Sequence, residues 1–289
     1  MATHFLPHKP LPTSAGASVW PALPAVMGII NLTPDSFYTG SRQPDASAAL
    51  AQAEAMLAAG ATYLDLGAMS TRPGADDVPP EEELARLLPA LRAIRQAFAH
   101  ALISVDTCRA SVAHAALQEG ASLINDITAG ADPAMLATVA AARVPYILMH
   151  TRGTPKTMTQ LTVYTDVVAQ VLAHLQERVA AAKQAGITAI SIDPGFGFAK
   201  TAAQSFTMLA NLGQFTTLGC PVLVGISRKR MVWQTLGTTA DHALNGTTAL
   251  HMAALLGGAS ILRVHDVLSA VETVQLYNRL AHPNLYANL

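Results

Sequence analysis

Short runs of apolar residues recur along the chain at Val26 to Ile30, Tyr63 to Leu66, Leu102 to Val105, Ser122 to Asn125, Tyr146 to Met149, Ala189 to Ile192, Pro221 to Val224 and Ile261 to Val264. Most lack polar alternation, as parallel strands covered on both faces do. Between them the spacing predicts helices. From Pro80, the positions Leu84, Leu87, Leu88, Leu91 and Ile94 repeat at helical intervals, with Pro80 in the first turn and Glu81 to Glu83 facing the positive end of the helix dipole. Pro89 is expected to kink that helix. Val168, Val171, Leu172, Leu175 and Val179 mark one apolar face between Asp166 and Ala185, with Gly186 as the stop. Ser47 to Gly60 repeats the scheme on a smaller scale.

Eight strands alternating with helices over about 240 residues predict a (β/α)8 TIM barrel, for which roughly 250 residues is usual. A doubly wound open sheet is the competing α/β architecture, but no G-x-G-x-x-G follows the first strand. No linker interrupts Ala25 to Leu280, so residues 25–289 are expected to form one barrel domain. Residues 1–24 carry His4, Pro7, His8, Lys9, Pro10 and Pro12 without a continuous apolar stretch, and are expected to be an irregular arm rather than a signal peptide.

Composition narrows the partners. Charged residues make up 13% of the 289 positions, about half the share of an ordinary domain, while 51% are hydrophobic. Eighteen basic and nineteen acidic residues leave a formal charge of −1, so no global field recruits nucleic acid or an anionic membrane. The mean hydropathy is +0.31, yet no run approaches the roughly 18 apolar residues of a membrane span. Cys108 and Cys220 lie far apart in sequence, which suits two buried free thiols in a reducing cytoplasm.

In such a barrel the active site lies at the C-terminal ends of the strands. Polar residues recur there: Asn31, Asp106, Asn125 with Asp126, His150, Asp193, then Ser227, Arg228 and Lys229, and finally Arg263 and His265. One such residue is ordinarily a cap or a turn former. Their recurrence around one rim instead predicts a ligand-binding mouth. Asp106, Asn125 and Asp193 offer acceptors, with a donor from the Asn125 amide, and Lys229 a cation, a set that suits a planar heterocycle with a guanidine-like edge and a carbonyl. Arg263 and His265 share one strand face and predict an anion subsite for phosphate or diphosphate.

The strings MGIINLTPDSF from Met27, STRPGA from Ser70, ISVDT from Ile103, NDI from Asn125, MHTRGTPKTM from Met149, DPGFGF from Asp193, GISRK from Gly225 and RVHDV from Arg263 resemble the dihydropteroate synthases, in the family's order. The resemblance runs from about Val26 to Leu280. It implies a transferase of folate biosynthesis that joins 4-aminobenzoate to 6-hydroxymethyl-7,8-dihydropterin diphosphate, releasing 7,8-dihydropteroate and diphosphate. Asp106, Asn125, Asp193 and Lys229 would hold the pterin between Met149 and Phe196. Asn31 would bind Mg²⁺, and with Arg263 and His265 it would hold the diphosphate. Thr71, Arg72, Pro73, Phe37 and Ser227 would surround the 4-aminobenzoate. Asn31, Lys229, Arg263 and His265 would carry the chemistry. The same resemblance implies sulfonamides as competitors, a cytoplasmic protein and a homodimer.

Two loops depart from the family pattern. Met69 stands where GGESTRPGA has its acid, and Thr39 replaces a second acid of the first loop; Ala199 stands at a common glycine position. Altered loop closure and altered support for diphosphate departure are therefore expected, with the pterin pocket untouched. Two alternatives share the barrel: a catalytically silent pterin-binding paralogue, and a pterin-dependent methyltransferase domain. The latter needs neither the STRPG loop nor the GISRK cluster.

Overall fold

The computed structural model describes Trp20 and residues 24–33, 46–70 and 74–281. The expected N-terminal arm lies outside the described residues except at Trp20 and Pro24. Eight parallel strands appear where the apolar runs predict them: β1 (Ala25–Asn31), β2 (Tyr63–Gly67), β3 (Leu102–Asp106), β4 (Leu123–Asp126), β5 (Tyr146–Met149), β6 (Ile190–Asp193), β7 (Leu223–Val224) and β8 (Ile261–Val264). The sheet runs β6-β5-β4-β3-β2-β1-β8-β7, and a parallel bridge between Ile192 and Val222 closes it. This is a (β/α)8 barrel.

Helices α1 (Ala46–Ala58), α2 (Pro80–Ala97), α3 (Ala110–Gln118), α4 (Met135–Ala142), α5 (Val167–Gln184), α6 (Ala202–Ala210), α7 (Arg230–Thr235), α8 (Leu244–Leu256) and α9 (Val267–Ala281) surround it. Helix α2 continues through Pro89 to Ala97, with Leu87, Ala90, Leu91 and Ile94 buried on both sides of the proline. Glu83 does more than complement the dipole. It is fully buried, accepts from the Thr107 hydroxyl at 2.7 Å, and pairs with Arg109 beside the end of β3. Helix α5 begins at the Asp166 cap, whose carboxylate accepts from the Ala169 N–H at 3.0 Å. No helix among the described residues is long and apolar enough to cross a membrane. Both cysteines are free; Cys220 is buried and Cys108 half-buried.

Strand parity separates two cores. Val26, Ile30, Leu64, Leu66, Ile103, Val105, Ile124, Leu148, Ile192, Val224 and Leu262 face outward and pack under the helices. Ala25, Met27, Tyr63, Leu123, Ile147, Leu223 and Ile261 fill the lower interior together with Trp20. Two residues further along, the same inward parity reaches Asp65, Asn125, Met149 and Arg263. The interior is thus apolar at its base and charged toward the mouth.

Candidate active site

The site is assembled from the upper ends of the strands. In register, Asp106 lies beside Gly67 and Asn125, and Asp193 beside Met149. The Arg263 guanidinium, rising from β8, donates through Nε to Asp65 Oδ2 at 2.6 Å and through Nη2 to Asp106 Oδ2 at 2.8 Å. Asn125 Nδ2 donates to that same Asp65 oxygen at 3.2 Å. Burial raises the Asp106 carboxyl to about 7 against the pull of Arg263, and the negative charge of Asp65 adds to the rise. Burial opposes the charge on Arg263, but Asp65 and Asp106 outweigh it and hold the guanidinium above its ordinary value.

Asp193 accepts the Gly195 N–H at 2.7 Å. Its carboxyl is raised by burial, opposed first by Lys229. Lys229, at the foot of α7, donates to the Phe196 carbonyl and lies 4.6 Å above the Phe198 ring. Burial lowers its ammonium to about 8, opposed by Asp193. Asp106, Asn125, Asp193 and Lys229 thus converge on one mouth, as their strand-end positions predict.

The place of Phe196 differs from its reading as an apolar wall. Its ring is fully buried in the core beneath the helices, so the group it offers the site is its carbonyl. The accessible aromatic of this turn is half-buried Phe198, and Met149 stays buried at the mouth of β5. The turn is built on close approach: Gly195 has φ 73°, and a β-carbon there would stand 2.0 Å from the His150 carbonyl oxygen. From below, buried Lys200 donates to the carbonyls of Gly195 at 3.0 Å and Phe198 at 2.9 Å, with His150 Nδ1 2.9 Å away. Burial, then the Lys200 charge, pushes the His150 imidazole down to about 2 and keeps it neutral.

Past β7, Ser227 is buried and its hydroxyl meets both the backbone N–H of His265 at 3.2 Å and that residue's Nδ1 at 3.1 Å. His265 itself is exposed. Arg263 lies within β8 and His265 just past its end; two of the three Arg263 nitrogens are committed to carboxylates, leaving Nη1 without a partner among the described residues. Asn31 ends β1 half-buried, in register with Gly67. Thr71, Arg72, Pro73, Phe37 and Thr39 lie outside the described residues; Met69 is half-buried just past β2.

Asp126, adjacent to Asn125, turns the other way. It accepts from the Thr128 and Gly130 N–H groups, each at 2.7 Å, and from the Tyr146 hydroxyl at 2.6 Å, so it shapes the loop after β4. Asp65 escapes a reading that looks only at strand ends. Its signal in the sequence is a lone carboxylate at inward parity within Tyr-Leu-Asp-Leu.

A family model described as "Pterin binding enzyme" matches residues 27–265. The dihydropteroate synthase of Escherichia coli K12 is 42% identical over 263 residues, covering 90% of this chain and 93% of its own length. Among solved structures, the Xanthomonas albilineans dihydropteroate synthase with 4-aminobenzoic acid superposes with a TM-score of 0.84 at 42% identity, over 89% of this chain and 93% of that one. The Yersinia pestis dihydropteroate synthase in a sulfonamide drug complex gives a TM-score of 0.86 at 39% identity, over 93% and 98%. With the barrel, the convergent acceptors and these likenesses together, the chain belongs to the dihydropteroate synthase family of pterin-binding enzymes.

Proposed function

We propose that this chain condenses 6-hydroxymethyl-7,8-dihydropterin diphosphate with 4-aminobenzoate to 7,8-dihydropteroate and diphosphate, a transferase step of folate biosynthesis. The convergence of Asp106, Asn125, Asp193 and Lys229 on one mouth carries this reading. The ionised carboxylates and the Asn125 oxygen accept from the pterin's amino and ring N–H groups, while Lys229 donates to its carbonyl oxygen. Phe198 and Met149 flank the ring.

As the carbon–oxygen bond to diphosphate breaks, its electron pair leaves with the diphosphate. The aniline nitrogen lone pair closes the new carbon–nitrogen bond, and the displaced amine proton passes to diphosphate or water. The buried carboxylates favour the electron-poor pterin carbon that this cleavage creates, and no covalent enzyme intermediate is needed. The Arg263 cluster holds one cation against two carboxylates, so Nη1 and His265 meet the diphosphate as hydrogen-bond donors more than as net charge.

Asn31 offers one amide oxygen, and among the described residues no cluster of three or more His, Cys, Asp or Glu builds a closed metal cage. A single oxygen donor fits Mg²⁺, which keeps waters and completes its shell with phosphate oxygens. Bound at Asn31, the ion would neutralise the departing diphosphate. Ser227, together with Thr71, Arg72, Pro73 and Phe37, would contact the 4-aminobenzoate, and a sulfonamide would compete there. Exposed Leu268, Leu276 and Leu280 on α9 support a homodimer through the outer helices. The near-neutral charge and two free thiols support a cytoplasmic setting.

A coupled assay with the pterin diphosphate, 4-aminobenzoate and Mg²⁺ tests the reading. The parent protein is expected to turn over, and Lys229→Ala to raise the KM for the pterin diphosphate by about tenfold or more, the scale of a lost charge-assisted hydrogen bond. A parent that binds pterin but forms no dihydropteroate would establish the silent paralogue instead.

A further inference from the structure

Asp65 is completely buried inside the barrel, midway along β2. A carboxyl group in that setting needs partners, and it has two side-chain donors among the described residues: Asn125 Nδ2 and Arg263 Nε, both on Oδ2. Its Oδ1 has none, nor does the buried hydroxyl of Ser104, its register neighbour on β3. Asp65 therefore serves no strand end, cap or loop. Both donors it engages belong to the ligand-facing mouth.

We propose that Asp65 is the positioning residue of the pterin subsite, fixing through one buried oxygen which atoms of Asn125 and Arg263 face the ligand. The inference rests on the function proposed above. An asparagine amide is a donor at one end and an acceptor at the other. With Nδ2 drawn down to Asp65, Asn125 presents Oδ1 as an acceptor, which the N–H-rich edge of a pterin requires. The same oxygen sets the plane of the Arg263 guanidinium, so that Nη2 reaches Asp106 and Nη1 stays available. Asp65 and Asp106 are joined through the one Arg263 guanidinium. The charged and titratable groups around Asp106 are Asp65, Asp126, Glu83, Arg263, Lys229 and Cys108, and of these Asp65 contributes the largest upward push after burial.

The test compares Asp65→Asn with Ser104→Ala, which alters the same interior layer without removing the charge. Calorimetry with 6-hydroxymethylpterin is expected to show about tenfold or greater weakening for Asp65→Asn, and a change within about twofold for Ser104→Ala. The KM for the pterin diphosphate should rise in parallel while that for 4-aminobenzoate stays within about twofold of the parent. The acid limb of the pterin-binding profile should move to lower pH, a displacement that loosened packing alone would not produce. Parent-like pterin affinity in Asp65→Asn, an equal loss in Ser104→Ala, or an unmoved acid limb overturns the inference. If Asp65→Asn is not recovered folded, nuclear magnetic resonance of the parent decides: one Asn125 side-chain amide proton should exchange slowly and shift little on 6-hydroxymethylpterin binding, and an Asn125 amide exchanging freely at both protons overturns it. A parent that takes up no 6-hydroxymethylpterin removes the functional reading itself, whereas failure confined to the Asp65 comparison removes only this inference.

Discussion

Arg228 and Asp266 form a two-point ion pair, Nε to Oδ2 at 2.8 Å and Nη2 to Oδ1 at 2.7 Å, that ties the loop after β7 to the loop after β8. Arg228 has φ 54°, a left-handed conformation that a non-glycine residue adopts at some cost. The Thr247 hydroxyl accepts its backbone N–H at 3.1 Å and helps hold it there. With Arg228 anchored outward, its neighbours Ser227 and Lys229 take their places in the mouth.

Removing the pair is expected to loosen that arrangement more than the fold. Asp266→Ala should cost about 1 kcal/mol of stability, roughly 2–4 °C in Tm, because the pair is only partly buried. The Arg228 hydrogen bond, with its charge, holds the Asp266 carboxyl below its ordinary value against burial. The pair's stabilisation is therefore present above the unfolded carboxyl's pKa and disappears as pH falls through the folded one. Steady-state kinetics should show the KM for the pterin diphosphate raised by about three- to tenfold, since Lys229 and Ser227 lose their fixed backbone. Kinetics unchanged beside a lowered Tm would confine the pair to a stability role.

Pterin affinity should depend on pH in a bell shape. Asp106, raised to about 7 by burial, accepts best when ionised, so binding strengthens as pH rises through that value. Lys229, lowered to about 8 by burial, donates best when protonated, so binding weakens as pH rises beyond it. The two limbs are properties of the coupled cluster and not of isolated residues. Calorimetric titrations of 6-hydroxymethylpterin between about pH 5.5 and 9.5 measure both limbs. A flat profile would remove Asp106 and Lys229 as the titrating pair.

Ala199 is buried with φ 50° in the turn that carries Phe196 and Phe198. Glycine there would relieve about 1–2 kcal/mol of left-handed strain. It would also lose about 0.8 kcal/mol of methyl burial and add about 0.4–1 kcal/mol of unfolded-state entropy. These contributions nearly cancel, so Ala199→Gly should change Tm by less than about 2 °C. Ala113→Gly, at a fully buried position in α3, has no strain to relieve and should lose about 2 kcal/mol. Equal losses in the two variants, measured by denaturant unfolding, would show that the Ala199 conformation stores no strain.

Local pattern in the sequence determined the eight strands, because continuous apolar runs and helical spacing reflect which faces each element must bury. The same strand-end pattern placed Asp126 on the rim beside Asn125, whereas Tyr146 and the loop backbone claim it in the folded chain. The polar cluster was legible because its residue types sit at strand ends, the one rim where a barrel leaves polar groups open.

Tertiary structure decided which of those groups act on one another. Arg263 meets Asp65 from 198 residues away and Asp106 from 157, contacts that exist only because β8 closes against β1. It likewise turned the Phe196 ring into the core and left Phe198 under Lys229, through positive φ at Gly195 and Gly197. Periodicity records burial along a segment. Pairing across the barrel depends on closure and register, which no single segment contains.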